Sequence, residues 1–143
     1  MDKRRRDFGR DVKTVVIVGG NFAGLAALRE LQQWQKAHCE NARLRIVLID
    51  KRAYSEYTPG ILRLFCEPEY FFRLAQALPE KDDGDACGLE RIQGIVMSIV
   101  GGDPRERTTK VLSYIATGNG DNSVEATQPK KLSYDYLILA TGA

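Results

Sequence analysis

Gly19-Gly20-Asn21-Phe22-Ala23-Gly24 is the stretch whose residue types and spacing carry the clearest chemical meaning. It follows the apolar run Val15-Val16-Ile17-Val18 and leads into a periodic stretch beginning at Leu25, so a glycine-rich turn stands between a buried strand and a helix. At such a junction the first backbone amides of the helix lack intrahelical partners and sit at the positive end of its dipole, which suits them to a pyrophosphate. Gly19 permits the tight exit from the strand, and Gly24 removes a side chain where helix and strand pack most closely. Asn21 stands where the dinucleotide fingerprint has its second glycine. Asparagine tolerates a left-handed backbone, and its amide can donate to a phosphate oxygen. The competing reading is a purely structural strand-to-helix turn.

Asp50 is the next chemical component. It closes a second apolar run, 44–49, and stands 26 residues past Gly24. A carboxylate there accepts hydrogen bonds from ribose hydroxyls and repels a 2′-phosphate.

These residues need elements to hold them. The β-branched run 14–18 is apolar without alternation, as a parallel strand buried on both faces requires. From 22 to about 38, Phe22, Leu25, Ala26, Leu28 and Leu31 recur at three- and four-residue steps, predicting an amphipathic helix. With the strand at 44–49 this makes a right-handed βαβ unit. Next come a loop containing Pro59 and Gly60, a shorter helix over 68–78, and a solvated loop from Glu80 to Asp85. A strand containing a glycine follows at 89–100. Segments 107–115 and 123–132 form a hairpin around Gly118-Asn119-Gly120-Asp121, and a buried strand covers 134–140. The expected class is α/β: a Rossmann-like parallel sheet with one βαβ unit and an inserted antiparallel β-meander. A basic solvated arm over 1–13 precedes one domain over 14–143.

Composition agrees with one folded domain. The chain has 143 residues, 43% hydrophobic and 28% charged, which is enough apolar material for a core and too much for disorder. No apolar run approaches the ~18 residues of a membrane-spanning helix. Cys39, Cys66 and Cys87 make neither a disulfide framework nor a metal-ligand spacing, which favours a reducing, cytoplasmic setting, with mitochondrial or membrane-peripheral alternatives. The net charge is +2; six cations against three acids put +3 in the arm and leave −1 for the body, so no broad basic face awaits nucleic acid. The acids in the arm also argue against a mitochondrial presequence.

The turn from Val18 to Leu25, the strand end Asp50-Lys51-Arg52, the string Tyr54-Ser55-Glu56-Tyr57-Thr58-Pro59-Gly60-Ile61-Leu62-Arg63 and the final Leu137-Ile138-Leu139-Ala140-Thr141-Gly142 occur in a telling order. Together they resemble the FAD-binding half of the two-dinucleotide-domain flavoproteins, the pyridine nucleotide-disulfide oxidoreductase superfamily. The chain is most similar to the branch holding apoptosis-inducing-factor-like, ferroptosis-suppressor and type II NADH dehydrogenase proteins. The resemblance implies that Gly19, Gly20, Asn21, Phe22, Ala23 and Gly24 hold the pyrophosphate of FAD and Asp50 its adenosine ribose. It places Lys51 and Arg52 beside the adenine end and the Val96 backbone against adenine. Ala140, Thr141 and Gly142 form a second flavin-side motif, and the Thr58-Pro59 loop runs near the isoalloxazine. It further implies hydride uptake from NAD(P)H and electron delivery to a quinone-type acceptor. Such proteins continue into a second glycine-rich domain for NAD(P)H, so the expectation is a segment truncated before that domain. The alternative is a non-catalytic nucleotide-binding or interaction module.

The remaining chemistry-bearing residues read more simply. A disulfide reductase would carry two close cysteines after the second strand; only Cys66 falls there, and it is expected in the core or half-buried. His38, the only histidine, is expected to cap a helix or lie at the surface. Trp34 and Tyr70-Phe71-Phe72 are expected to pack helices onto the sheet, with a quinone or peripheral membrane contact as the other reading. Lys130-Lys131 reads as a solvated edge, and no catalytic triad or metal-ligand cluster is visible.

Overall fold

The computed structural model describes residues 12–38, 43–79, 88–102, 110–117 and 128–142. Strand β1 (Val12–Val18) starts two residues before the expected 14, because Val12 and Lys13 pair with Arg43 and Leu44 of β2 (Arg43–Asp50). Lys13 therefore belongs to the sheet rather than to a solvated arm, and its Nζ lies 3.9 Å from the Asp135 carboxylate. The rest of the expected arm, 1–11, lies outside the described residues.

Helix α1 (Phe22–Ala37) joins the two strands, as its apolar period requires. The His38 backbone N–H donates to the carbonyls of Trp34 and Gln35, its Nδ1 lies 2.8 Å from the Trp34 oxygen, and its ring stacks on Trp34. The histidine is an exposed C-terminal cap, as expected. Gln35 is the buried polar residue of the helix, and its Oε1 accepts the Leu44 N–H at 2.6 Å, tying the end of α1 to the start of β2.

After β2 the chain departs from expectation. Strands β3 (Tyr54–Glu56) and β4 (Ala75–Ala77) form a small antiparallel ladder. Between them lie a 3₁₀ segment at Thr58–Phe65, where a loop was expected, a 3₁₀ turn at Pro68–Tyr70, and one turn of helix α2 (Phe71–Leu74). The expected helix over 68–78 stops at Leu74 because residues 75–77 are drawn into pairing with β3, and Leu78 donates its N–H to Ala53. The expectation that the aromatics pack inward also fails: Trp34 is 42% exposed, Phe71 48% and Phe72 84%. Cys66, expected in or near the core, is exposed, since it ends the 3₁₀ segment on the solvent side.

Strand β5 (Gly88–Val100) runs parallel to β2 over its first half and antiparallel to β6 (Val111–Ala116) over its second, with a register shift between Val96 and Ser98. Strand β7 (Lys130–Ser133) pairs antiparallel to β6, and β8 (Tyr136–Leu139) returns parallel beside β1. The six-stranded order is β7-β6-β5-β2-β1-β8. This is a Rossmann-like α/β sheet with an antiparallel extension. The Gly118-Asn119-Gly120-Asp121 turn and the Glu80–Asp85 loop lie outside the described residues.

The alternating pleat divides the core into two layers. Ile17, Ile46, Leu48 and Leu89 pack against Leu28 of α1 on one face. Val16, Val18, Val47 and Ile49 meet Leu112, Leu132 and Tyr134 on the other. Both faces of β1 and β2 are thus dry, which explains their unbroken apolarity. Among the described residues no helix is long and apolar enough to cross a membrane.

Candidate functional site

The parallel strands β1, β2 and β8 all end at one edge of the sheet, the place where open α/β sheets bind ligands. Gly19 leaves β1 with φ +106°, and its amide donates to Ile49 at 2.8 Å. A Cβ there would stand 2.2 Å from the Ala140 carbonyl oxygen, so only glycine fits against the end of β8. At Gly24 a Cβ would stand 1.7 Å from the Gly19 oxygen, which places the first turn of α1 directly on the glycine turn.

Asn21 does not use the left-handed conformation that an asparagine tolerates. Its φ of −102° and ψ of −156° are extended, the usual backbone of a helix N-cap. The side chain turns to β3 and accepts a hydrogen bond from Ser55 Oγ at 2.9 Å. No acid occupies the first turn of α1, so nothing in that turn offsets the positive end of its dipole.

Asp50 joins the two strand ends. Its Oδ2 accepts the Gly20 N–H at 2.6 Å and its Oδ1 accepts the Arg52 N–H at 2.7 Å. An ionised carboxylate has about four acceptor positions, so two remain for hydroxyl donors of a ligand. Arg52 pairs through its guanidinium with Glu56, whereas Gln93 Nε2 donates to the Lys51 carbonyl at 3.3 Å.

Two grooves meet at this point. One, about 410 Å³, runs from Gly19 and Ile49 to Gly94 and Val96 of β5. The other, about 520 Å³, runs from Gly20, Asn21 and Phe22 past Arg52 to Thr58, with Gly142 on its wall. Asp50, Lys51 and Thr141 line both. Eleven of the fourteen residues singled out from the sequence line one or other groove. Ala23, Gly24 and Ala140 do not; Gly24 and Ala140 shape the turn by close packing, and Ala23 is exposed on α1. Arg52 lines the second groove, next to Lys51, which lines both.

Sequence reasoning missed three contributors. Ser55 orients Asn21, Gln93 braces Lys51, and Gly94 lines the first groove where β5 packs closely on β6. A Cβ on Gly94 would lie 2.6 Å from the Ile115 oxygen, and a glycine inside a strand was the available signal for such a close approach. Ser55 and Gln93 carried no local pattern. Among the described residues no group of His, Cys, Asp or Glu is placed to hold a metal.

The family model for pyridine nucleotide-disulphide oxidoreductases matches residues 13–143, nearly the whole chain. The chain belongs to this family. Solved structures agree on the fold of this pyridine nucleotide-disulphide oxidoreductase segment. NDH2 from Plasmodium falciparum in complex with RYL-552 superposes with a TM-score of 0.61 at 19% identity, over 92% of this chain and 22% of that one. The sulfide:quinone oxidoreductase of the hyperthermophilic bacterium Aquifex aeolicus gives 0.60 at 27% identity, over 91% of this chain and 24% of that one. The chain thus spans less than a quarter of either protein. No curated protein matches it in sequence.

Proposed function

We propose that this chain binds FAD as the first nucleotide-binding segment of an oxidoreductase that carries electrons from NAD(P)H to a quinone-type acceptor. The observation that carries the reading is the joint at Asp50: one carboxylate fastened to the glycine turn, with acceptor capacity left over, where two grooves meet. Membership of an oxidoreductase family supports it, as does the fold shared with a sulfide:quinone oxidoreductase.

In this reading the amides of Asn21 and Phe22 face the pyrophosphate at the open end of α1, Asn21 adds its side-chain NH₂, and Gly20, whose own amide is held by Asp50, gives the ligand room beside the turn. Asp50 accepts from the adenosine ribose, and the Val96 backbone lies along adenine. Lys51, exposed on the rim of both grooves, offsets phosphate charge. Thr58, Thr141 and Gly142 line the flavin side. Bound FAD supplies the redox chemistry; the chain supplies position and electrostatics.

The test is a titration of the purified chain into FAD, followed by flavin fluorescence. Saturable quenching that ADP competes away supports the site; absence of any saturable change rejects it.

A further inference from the structure

We propose that the cavity on the far side of Phe22 is a second binding site, for a small amphipathic carboxylate. This cavity, about 350 Å³, opens between α1 and the segment joining β3 to β4. Phe22, Leu25, Ala26 and Leu74 give it an apolar lining, and Arg29 and Arg73 stand at it as cations. It lies within the size range of small-molecule sites.

Charge selects the ligand class. Neither guanidinium has an acidic partner among the described residues; the ion pairs of this region are Arg52 with Glu56 and Arg63 with Glu67. Arg73 instead lies 5.3 Å from the ring centre of Tyr70. Two uncompensated arginines beside an apolar wall favour a planar anionic head, which a guanidinium fork binds through paired hydrogen bonds. An inorganic anion would leave the apolar wall wet, and a neutral apolar molecule would leave both cations unpaired. A single carboxylate on an apolar body satisfies both.

The cavity is distinct from the nucleotide grooves but shares a partition with them. Phe22 and Ser55 line both spaces, and the Phe22 ring meets the Tyr57 ring edge-on at 5.6 Å between centroids.

The experiment titrates the full chain, without nucleotide, with sodium octanoate and separately with 1-octanol, following backbone amide resonances. The expected result is saturable shifting at Leu25, Ala26 and Gln76, with octanoate at least roughly tenfold tighter than octanol. Arg29→Gln and Arg73→Gln should each weaken octanoate by roughly tenfold, and Arg29→Lys should restore part of the loss. Both arginines are exposed, so the core is undisturbed by their replacement. Ala26→Phe, which fills the cavity, should abolish binding. Equal affinity for octanol, indifference to both glutamine variants, or shifts centred on the exposed Leu62, Phe65 and Phe72 would each overturn the proposal. Because no nucleotide is present, its failure would leave the FAD reading untouched.

Discussion

Asp50 accepts the amide hydrogen of Gly20 at 2.6 Å, so the end of the second strand is tied directly to the turn after the first. Replacing Asp50 with Ala removes the acceptor for two backbone amides and the acceptors left for ribose. FAD binding should weaken by about 1–3 kcal/mol. Asp50→Asn keeps an oxygen but loses the charge, and its affinity should fall between the two. An unchanged dissociation constant in both variants removes Asp50 from the ribose role.

Gly24→Ala should be among the most damaging small substitutions in the chain. Its Cβ would sit 1.7 Å from the Gly19 oxygen, a backbone atom that cannot swing aside. Overpacking of this kind costs about 1–3 kcal/mol or more. Gly101→Ala serves as the control, because a Cβ there meets nothing within 4 Å. Denaturant unfolding of the two variants measures the difference; equal midpoints would disprove the close packing of helix on turn.

Ser55→Ala leaves Asn21 without its hydrogen bond from β3. Stability should drop by about 0.5–1.5 kcal/mol in denaturant, the usual value of one such bond. Loss of FAD affinity beyond that of stability would indicate that Asn21 must be held in place to meet phosphate.

Burial raises the Tyr114 hydroxyl above its ordinary value of 10.0, with the nearby Glu90 charge adding to the effect and Arg45 opposing it. The unfolded chain therefore releases this proton first. Stability from this group is complete below pH 10 and declines as pH rises through the raised folded-state value. Tyr114→Phe should show a shallower loss of stability on the alkaline side, read from denaturant midpoints across that range. Parallel profiles for variant and parent would exclude the linkage.

The solvent-side position of Cys66 makes it open to reagents. In a Cys39→Ser, Cys87→Ser background, a maleimide should label the folded protein at one site at the rate of a free thiol. Labelling that requires denaturant would return Cys66 to the interior.

Much of this was legible from residue order. The runs that became β1 and β2 are apolar on consecutive residues because Ile17 and Ile46 face α1 while Val16 and Val47 face the antiparallel layer. The glycines at 19 and 24 were readable for a related reason: each marks a place where one backbone touches another. The segment between β3 and β4 was less legible. Its aromatic residues suggested a helix with a buried face, but three residues of strand pairing at 75–77 outweighed local helical preference. Ser55 and Gln93 were illegible because their roles depend on partners 34 and 42 residues away.

The hydrogen bond from the Thr14 amide to Asp135 closes a chain separation of 121 residues, and β8 pairs with β1 across the same span. Contacts of such range form slowly, since loop entropy is paid before they reward it. The wall supplied by Thr141 depends on this long closure, and both grooves are complete only where β8 is docked beside β1. A ligand that needs that wall selects the completed sheet and draws the population toward it by mass action.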